Sequence, residues 1–331
     1  MSLPVVTVVE IDDPAAANAG IELLDMSAVQ LQSSPFQARR VVIRAGIATV
    51  VYHSANLRLR TCTSVTPGQT AFVTFGPETR GTVNGIPVRP GLMLAAGPGA
   101  EARFVVEPGW ESLDIMVPPD ELLAHLATRR PEGGFRTPQG IELLAASPRA
   151  ASRLFDWGRQ LIVAAVAQPD LFNARTEDSP ALQVEVLENL LEAIGEAHPL
   201  VPDRGERTRQ RHGQIVKRAE EFALAQQGSH LYVSDLCRAA CVSERTLEYA
   251  FREILGLTPM AYLTRLRLHR VRGALLLANP DSTTVATEAL RWGFWHFGDF
   301  ARAYHDCFAE LPSETLSRPG NGGVPPASGA N

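Results

Sequence analysis

Cysteine is scarce in this sequence, and its few cysteines form no recognisable metal-binding pattern. They are Cys62, Cys237, Cys241 and Cys307, and no pair shows the CxxC spacing typical of a structural zinc site. Cys237 and Cys241 would share a helix face at i and i+4, which leaves a redox or metal role open. Burial as small apolar side chains is the alternative, and the one we favour. We expect no metal, no cofactor and no catalytic residues.

Long apolar runs are also absent. No segment approaches the roughly 18–20 uncharged apolar residues that cross a bilayer. The first residues carry Glu10, Asp12 and Asp13, where a signal peptide would carry basic residues before an apolar segment. We therefore expect no membrane contact and a cytoplasmic location. The length of 331 residues, with 45% hydrophobic and 20% charged residues, predicts about two globular domains.

The chain as a whole has no excess of positive charge, since its formal net charge is −5. From Glu206 to Arg318, however, 15 arginines and lysines stand against 13 carboxylates. Five of the eight histidines fall in the same stretch. This asymmetry indicates that any contact with nucleic acid is made by the C-terminal part of the chain.

The first hundred residues are rich in Val, Thr, Gly and Pro and predict short strands separated by turns. The expected strands are Arg40–Ala45, Ala48–His53, Leu57–Val65, Gln69–Phe75 and Arg103–Val106, with turns at Pro67-Gly68, Asn84-Gly85 and Pro108-Gly109. Such a series predicts an all-β barrel or sandwich up to about residue 118, which could enclose a ligand. Trp110 would form either a pocket wall or part of the core. Seven arginines could line an anion pocket or face solvent: Arg39, Arg40, Arg44, Arg58, Arg60, Arg80 and Arg89.

After Pro118 the pattern becomes helical, with helices expected over Asp120–Thr128, Arg149–Ala167 and Pro180–Ala197. In the last of these, an apolar stripe with 3-4-3 spacing fits either a dimer seam or packing against the strands. The stripe consists of Val184, Leu187, Leu191 and Ile194. We predict a first domain at residues 1–198, a linker at 199–209, a second domain at 210–318 and a disordered tail at 319–331.

Residues 210–318 are predicted to be helices joined by short turns, and they contain an internal repeat with an offset of 53 residues. The equivalent positions are Leu236 and Ala289, Ala240 and Gly293, Leu247 and Phe300, Phe251 and Tyr304, Leu255 and Phe308, and Pro259 and Pro312. Each copy has a short helix, a tight turn and a longer helix with apolar residues at every fourth position. This is the pattern of the helix-turn-helix motif, whose second helix enters the DNA major groove.

The first copy is predicted to form helices Val233–Ala240 and Glu244–Leu255, with Ser243 as N-cap and Gly256 as C-terminal stop. The second copy is predicted to form helix Thr284–Arg291, a turn at Gly293 and a helix from near His296 to Phe308. Between the copies, the predicted helix Pro259–Leu277 carries Arg265, Arg267, Arg270 and Arg272. That helix would hold the two recognition helices about one DNA turn, or ~34 Å, apart.

From about Gln210 to Leu316, the sequence resembles the AraC/XylS family of bacterial transcription regulators. The matching features are Ser243 before the first recognition helix, Gly256–Pro259 after it, the arginine-rich stretch Arg265–Arg272, and Gly293-Phe294 before the second recognition helix. The segment GFWHFGDFARAY is similar to a subgroup that includes the activator of ethanolamine-utilisation operons. The resemblance implies an α+β protein: an N-terminal cupin-like barrel with flanking helices and a C-terminal all-α tandem helix-turn-helix domain.

The resemblance also implies partners and site residues. Double-stranded DNA, RNA polymerase, an unknown small effector and a second copy in a homodimer are the expected partners. The expected DNA-binding residues are Ser243, Arg245, Glu248, Tyr249 and Arg252 in the first unit, and His296, Phe297, Gly298, Ala301 and Arg302 in the second. Phe297 and Gly298 stand where the family usually has polar residues, and Ala309 replaces a usual glycine. The second unit is therefore expected to depend on Arg302, His296 and phosphate contacts.

Two alternatives remain beside an effector-controlled regulator. A ligand-independent DNA-binding regulator would have the same C-terminal domain. A metal-dependent barrel enzyme would need clustered His and Glu ligands. Before the linker the sequence has only His53, His125 and His198, no two of them close together, so an enzyme is disfavoured.

Overall fold

The computed structural model describes residues 4–33, 35–129, 136–174, 180–195, 197–226, 231–278 and 282–318. The chain divides into two compact units, one formed mainly by residues up to Gln214 and the other mainly by residues from Ile215 onward. None of the helices described is long and apolar enough to cross a membrane. The predicted tail at 319–331 lies outside the described residues.

The first unit is rich in β-structure. Its strands are β1 (Val6–Ile11), β2 (Leu24–Gln30), β3 (Ala38–Ala45), β4 (Ala48–Ala55), β5 (Leu59–Val65), β6 (Thr70–Phe75), β7 (Gly81–Val83), β8 (Ile86–Pro87), β9 (Leu92–Ala96), β10 (Glu101–Val106), β11 (Trp110–Val117), β12 (Ile141–Ala145) and β13 (His198–Pro199). The five strands predicted from sequence are confirmed as β3, β4, β5, β6 and β10.

The strands form two antiparallel sheets. The larger sheet has the order β1-β3-β4-β11-β6-β9-β12-β13, and the smaller has the order β2-β5-β10-β7-β8. Apolar side chains from both sheets share one core, for example Val73 and Leu94 of the larger sheet with Leu59 and Phe104 of the smaller. Strand pairing does not close these sheets into one barrel, so the cupin-like barrel stays a prediction.

Helices cover the outer face of the larger sheet. The helices of this unit are α1 (Pro119–Arg129), α2 (Pro148–Ala167), α3 (Pro169–Ala174) and α4 (Pro180–Gly195). Phe155 of α2 and Leu187 of α4 pack with Val50 and Ile115 of the sheet. Leu191 and Ile194 join the same core, so the apolar stripe packs within the unit. A dimer seam is not needed to explain it, and the dimer remains a prediction.

Two segments differ from the sequence-based expectation. Ile141–Ala145, in the region expected to be helical, is strand β12, because it pairs with the exposed edge of β9. The predicted linker at 199–209 is helical from Arg204 onward. The cause is a capping box, in which Asp203 Oδ1 accepts from Glu206 N at 2.8 Å and Glu206 Oε2 accepts from Asp203 N at 2.9 Å.

The second unit is helical throughout its described residues apart from its connecting turns. Its helices are α5 (Arg204–Ala225), which begins in the first unit, α6 (Val233–Ala240), α7 (Glu244–Leu255), α8 (Pro259–Leu277), α9 (Val285–Arg291), α10 (Phe297–Phe308) and α11 (Pro312–Leu316). The predicted helices are confirmed to within a residue at each end. Leu268 and Val271 of α8 pack on Ala289, Phe300 and Tyr304 to form the core of the second repeat.

Candidate nucleic-acid interface

A sharp turn and a well-capped helix build the first candidate DNA-binding surface. Cys241 ends α6 with a left-handed backbone conformation, at φ 57°. Ser243 then caps α7, because its hydroxyl oxygen accepts a hydrogen bond from Thr246 N at 3.3 Å. Leu247 and Phe251 are fully buried beneath α7. This burial fixes which face of α7 is exposed.

The exposed face of α7 carries the residues expected to contact bases. Arg245 is exposed and has no ion-pair partner among the residues described, while Tyr249 is 59% exposed. Glu248 accepts from Arg252 at 3.1 Å in an i,i+4 pair. The four side chains occupy positions i, i+3, i+4 and i+7, which is one stripe along the helix. The structure therefore brings Arg245, Glu248, Tyr249 and Arg252 together as predicted.

The second candidate surface has the same backbone plan and fewer polar side chains. The turn contains Gly293 at φ 80°, and α10 begins after His296, whose side chain makes no capping bond. Phe297 is 45% exposed. Gly298 is exposed, and Arg302 lies 3.7 Å from Asp299 in a solvent-exposed pair.

The repeat shows how far the two surfaces diverge. An offset of 53 residues places Gly298 at the position of Arg245, Ala301 at that of Glu248 and Arg302 at that of Tyr249. Ala301 is only half-exposed. The second recognition helix therefore presents one long charged side chain where the first presents three large polar ones.

The arginines of α8 are not all available to DNA. Arg272 is 5% exposed, forms an ion pair with Glu310, and lies 4.5 Å from the ring centroid of Phe308. It also donates to Tyr304 Oη at 3.5 Å. Arg265, Arg267 and Arg270 are half-buried. The role of Arg272 is thus structural, and no sequence pattern indicates it, because its partner is 38 residues away.

A buried histidine next to Arg272 stays neutral. Burial lowers the pKa of His269 to about 3, and the nearby Arg272 adds to this effect. The His269 ring packs edge-on against Phe308 at 4.9 Å between centroids. An uncharged imidazole is what an apolar core beside a guanidinium can accommodate. Trp292 also packs against this core.

The cysteines of the first unit of the repeat are not the buried small residues that we favoured. Cys241 is exposed and Cys237 is half-buried. Burial and the carboxylate of Glu244 raise the pKa of the Cys237 thiol, which keeps it protonated. Cys307 is buried in the second core, as expected for a small apolar residue.

The three histidines before the linker lie in different places. His53 lies on β4 beside Asp114, His125 lies on α1 at 3.2 Å from Glu188, and His198 is exposed on β13. The described part of the chain contains no group of three or more His, Cys, Asp or Glu side chains that could hold a metal ion.

Comparison with known proteins bears on the helical unit. A family model described as "Helix-turn-helix domain" matches residues 236–318. A probable thc operon regulatory protein of Rhodococcus erythropolis is 40% identical over 102 residues, which is 31% of each chain. The XylDLEGF operon transcriptional activator 2 of Pseudomonas putida is 38% identical over 85 residues, covering 26% of this chain and 54% of that protein. This chain therefore matches those relatives over about a third to a half of their own length.

Among solved structures, a probable AraC family transcriptional regulator from Rhodopseudomonas palustris is 36% identical over 31% of this chain and 95% of that one, with a TM-score of 0.29. The fold and the family match together define residues 236–318 as part of a tandem helix-turn-helix DNA-binding domain. Over this domain the chain is similar to transcription regulators of the AraC/XylS type.

Proposed function

We propose that the protein is a sequence-specific transcription regulator, most simply an activator, that reads DNA with α7 and α10. The observation that carries this proposal is the exposed stripe of Arg245, Glu248, Tyr249 and Arg252 on a firmly capped recognition helix. Recurrence of the same helix pair 53 residues later supplies a second major-groove contact. The relatives that match this domain are named as operon regulators and activators.

Each helix-turn-helix repeat has its own role in this proposal. A guanidinium such as that of Arg245 can pair with guanine O6 and N7, and a carboxylate such as Glu248 can accept from cytosine N4. The second helix-turn-helix repeat has no such side chains, because Gly298 and Ala301 stand at the equivalent positions. Arg302 and His296 would instead contact phosphates, which position the protein and carry no base information.

The N-terminal one of the two compact units is proposed as the regulatory part. It would be a cupin-like domain that binds a small effector and forms a homodimer. Its two-sheet architecture, with an internal cavity, supports this role. The effector would act by binding one DNA-competent arrangement more tightly than another. Such a regulator works on chromosomal DNA beside RNA polymerase, so we place it in the cytoplasm, and we propose no enzymatic activity for it.

Selection of bound fragments from sheared source-genome DNA by the purified full-length protein tests this function. We expect one shared motif with two half-sites about one helical turn apart. An Arg245→Ala variant should enrich a motif degraded in one half-site, while Arg153→Ala, which changes an exposed arginine of the first unit, should enrich the original motif. Absence of any enrichment at low salt would overturn the proposal.

A further inference from the structure

The N-terminal unit contains a small, partly open cavity between its two sheets. The cavity measures about 110 Å³, and most of its lining is apolar, including Leu24, Leu59, Val73 and Phe104. Trp110 forms part of the wall and also packs edge-on against Phe75, at 5.4 Å between centroids. An apolar protein cavity of about 150 Å³ holds a benzene molecule. The volume here therefore suits a molecule of about one ring.

Three polar side chains line one side of this apolar cavity. Arg40 on β3, His53 on β4 and Asp114 on β11 come together because Arg40 faces His53 across the β3–β4 ladder and Asp114 lies diagonally across the β4–β11 ladder. Arg40 Nε donates to His53 Nδ1 at 3.2 Å, and His53 Nε2 lies 3.1 Å from Asp114 Oδ2. Since Nδ1 accepts, the imidazole proton is on Nε2, where it faces the carboxylate.

The guanidinium of Arg40 is already engaged. Each of its three nitrogens donates: Nε to His53, Nη1 to Ala19 O at 2.6 Å and Nη2 to Ala17 O at 2.7 Å. Arg40 is 2% exposed. The protein's own carbonyls therefore hold this cation in place, and they leave little of it to capture a ligand carboxylate.

Asp114 has unused accepting capacity. It is 8% exposed, lines the cavity, and its Oδ1 atom has no hydrogen-bond donor among the residues described. A buried acceptor without a donor is unfavourable, and a carboxylate oxygen is a strong acceptor. A ligand that reaches the polar side of the cavity should therefore carry an N–H or O–H group.

Charges next to the cavity favour the same ligand chemistry. Part of the cavity wall, including Ile11, Arg39 and Trp110, is shared with an open cleft. That cleft is lined by three carboxylates, from Glu10, Asp12 and Glu111, and by one arginine, Arg39, which lies 3.0 Å from Glu10. The other arginines considered for an anion pocket, Arg44, Arg58, Arg60, Arg80 and Arg89, do not line the cavity. Arg39 and Arg40 stand against Asp114, Glu10, Asp12 and Glu111, so the charges that line the cavity and the cleft sum to −2 and disfavour an anionic ligand.

We propose that this cavity is a binding site for an apolar molecule of about one ring that bears a hydroxyl or amine group, and that Asp114 Oδ1 accepts the hydrogen bond from that group. Molecules in which the same position is a methyl group or a carboxylate are discriminated against. Only the identification of this ligand as the effector rests on the proposed regulatory function. The binding site and its chemistry do not depend on it.

Binding of four probes to the full-length protein, measured by calorimetry and thermal shift without DNA, tests the proposal. Phenol, aniline and toluene have nearly the same shape and differ in the donor, whereas benzoate adds the anion. We expect phenol and aniline to bind at least tenfold more tightly than toluene, and benzoate not to bind. Toluene affinity within threefold of phenol, binding of benzoate, or no binding of phenol and aniline would each overturn the proposal.

A pair of variants tests the role of Asp114. Asp114→Asn should reduce the preference for phenol over toluene to less than threefold, and the control Asp120→Asn, an exposed carboxylate at the start of α1, should leave it unchanged. An unchanged preference in Asp114→Asn would contradict the assignment. If that variant does not fold, the four-probe comparison on the original protein still decides. Because the readout contains no DNA, its failure is distinguishable from failure of the DNA-binding proposal.

Discussion

The two helix-turn-helix units bury equivalent side chains and expose different ones. Leu247 and Phe251 of the first unit are buried as completely as their counterparts Phe300 and Tyr304. On the exposed side, Arg245 of α7 corresponds to Gly298 of α10. Packing requires the apolar spacing in both copies, whereas the polar stripe that we propose for base contacts is complete only in the first copy. A repeated fold therefore does not imply repeated chemistry.

The two helix-turn-helix units also differ in the interactions that stabilise their cores. The second unit contains the buried Arg272–Glu310 ion pair, while the equivalent positions of the first unit are Ala219 and Leu257. The second unit also ends α10 with Ala309 in a left-handed conformation, at φ 57°, where the first unit has Gly256 at φ 71°. The second helix-turn-helix unit thus depends on a buried charge pair that the first lacks, and it carries backbone strain at the end of its recognition helix, where the first has glycine.

The largest expected effect is on the buried ion pair. Arg272→Ala removes the buried partner of Glu310 and leaves the more exposed Arg318, so the loss should reach at most the cost of about 3–5 kcal/mol for breaking a buried pair. Denaturant unfolding of the full chain, followed by a probe in the helical unit, measures the loss. Arg302→Ala, which removes an exposed partner of Asp299, should change stability by less than about 0.5 kcal/mol. Equal stability of the two variants would contradict the structural role of Arg272.

Next in size is the loss of a base contact. Arg245→Ala should cost about 1–3 kcal/mol in binding to the selected DNA and relax the preference at one base pair. Arg302→Ala should weaken binding to all sequences alike and reduce the slope of affinity against salt concentration. Titrations of cognate and scrambled duplexes at several salt concentrations separate the two patterns. Identical patterns in the two variants would break the comparison between the units.

Exchanging glycine and alanine at the C-terminal ends of the two recognition helices should change the stability of the protein in opposite directions. Gly256→Ala introduces a side chain into a left-handed conformation and should destabilise the protein by about 1 kcal/mol. Ala309→Gly removes that strain and, after the entropic cost of glycine, should stabilise by up to about 1 kcal/mol. Thermal unfolding of both variants checks the signs. Stabilisation by Gly256→Ala would show that the two ends are not equivalent.

The smallest effect concerns the glycine on the second recognition helix. A Cβ atom at Gly298 would meet no atom within 4 Å, so Gly298→Ala should stabilise α10 by about 0.5–1 kcal/mol. DNA affinity should be unchanged if this position makes no close approach to the duplex. A large loss of affinity with a normal unfolding temperature would instead mean that the DNA backbone contacts α10 closely at Gly298.

Local signals in the sequence were sufficient to predict the helical unit. Ser243 and Gly256 mark the ends of α7, and the 53-residue repeat then places α9 and α10. The strands β3, β4 and β6 were equally accessible, because turn residues separate them. Strand β12 was not, since its stability comes from pairing with β9 and its composition alone suits a helix.

Contacts between distant residues could not be predicted. Arginine is rarely buried, so nothing in the sequence distinguished Arg272 from the other arginines of α8 before Glu310 was located beside it. The Arg40–His53–Asp114 cluster likewise depends on the register of three strands. The exposed position of Cys241 follows from its left-handed backbone at the turn, which its residue type did not suggest.

The central claim is that two unequal units contact one face of the DNA, and guanine methylation interference on the selected site tests it most directly. Methyl groups at guanine N7 lie in the major groove. We predict interference in two patches about 10 base pairs apart, with base-specific interference at one patch lost in Arg245→Ala and neither patch lost in Arg302→Ala. A binding site without major-groove interference, or with a single patch that Arg245→Ala does not affect, would contradict the account.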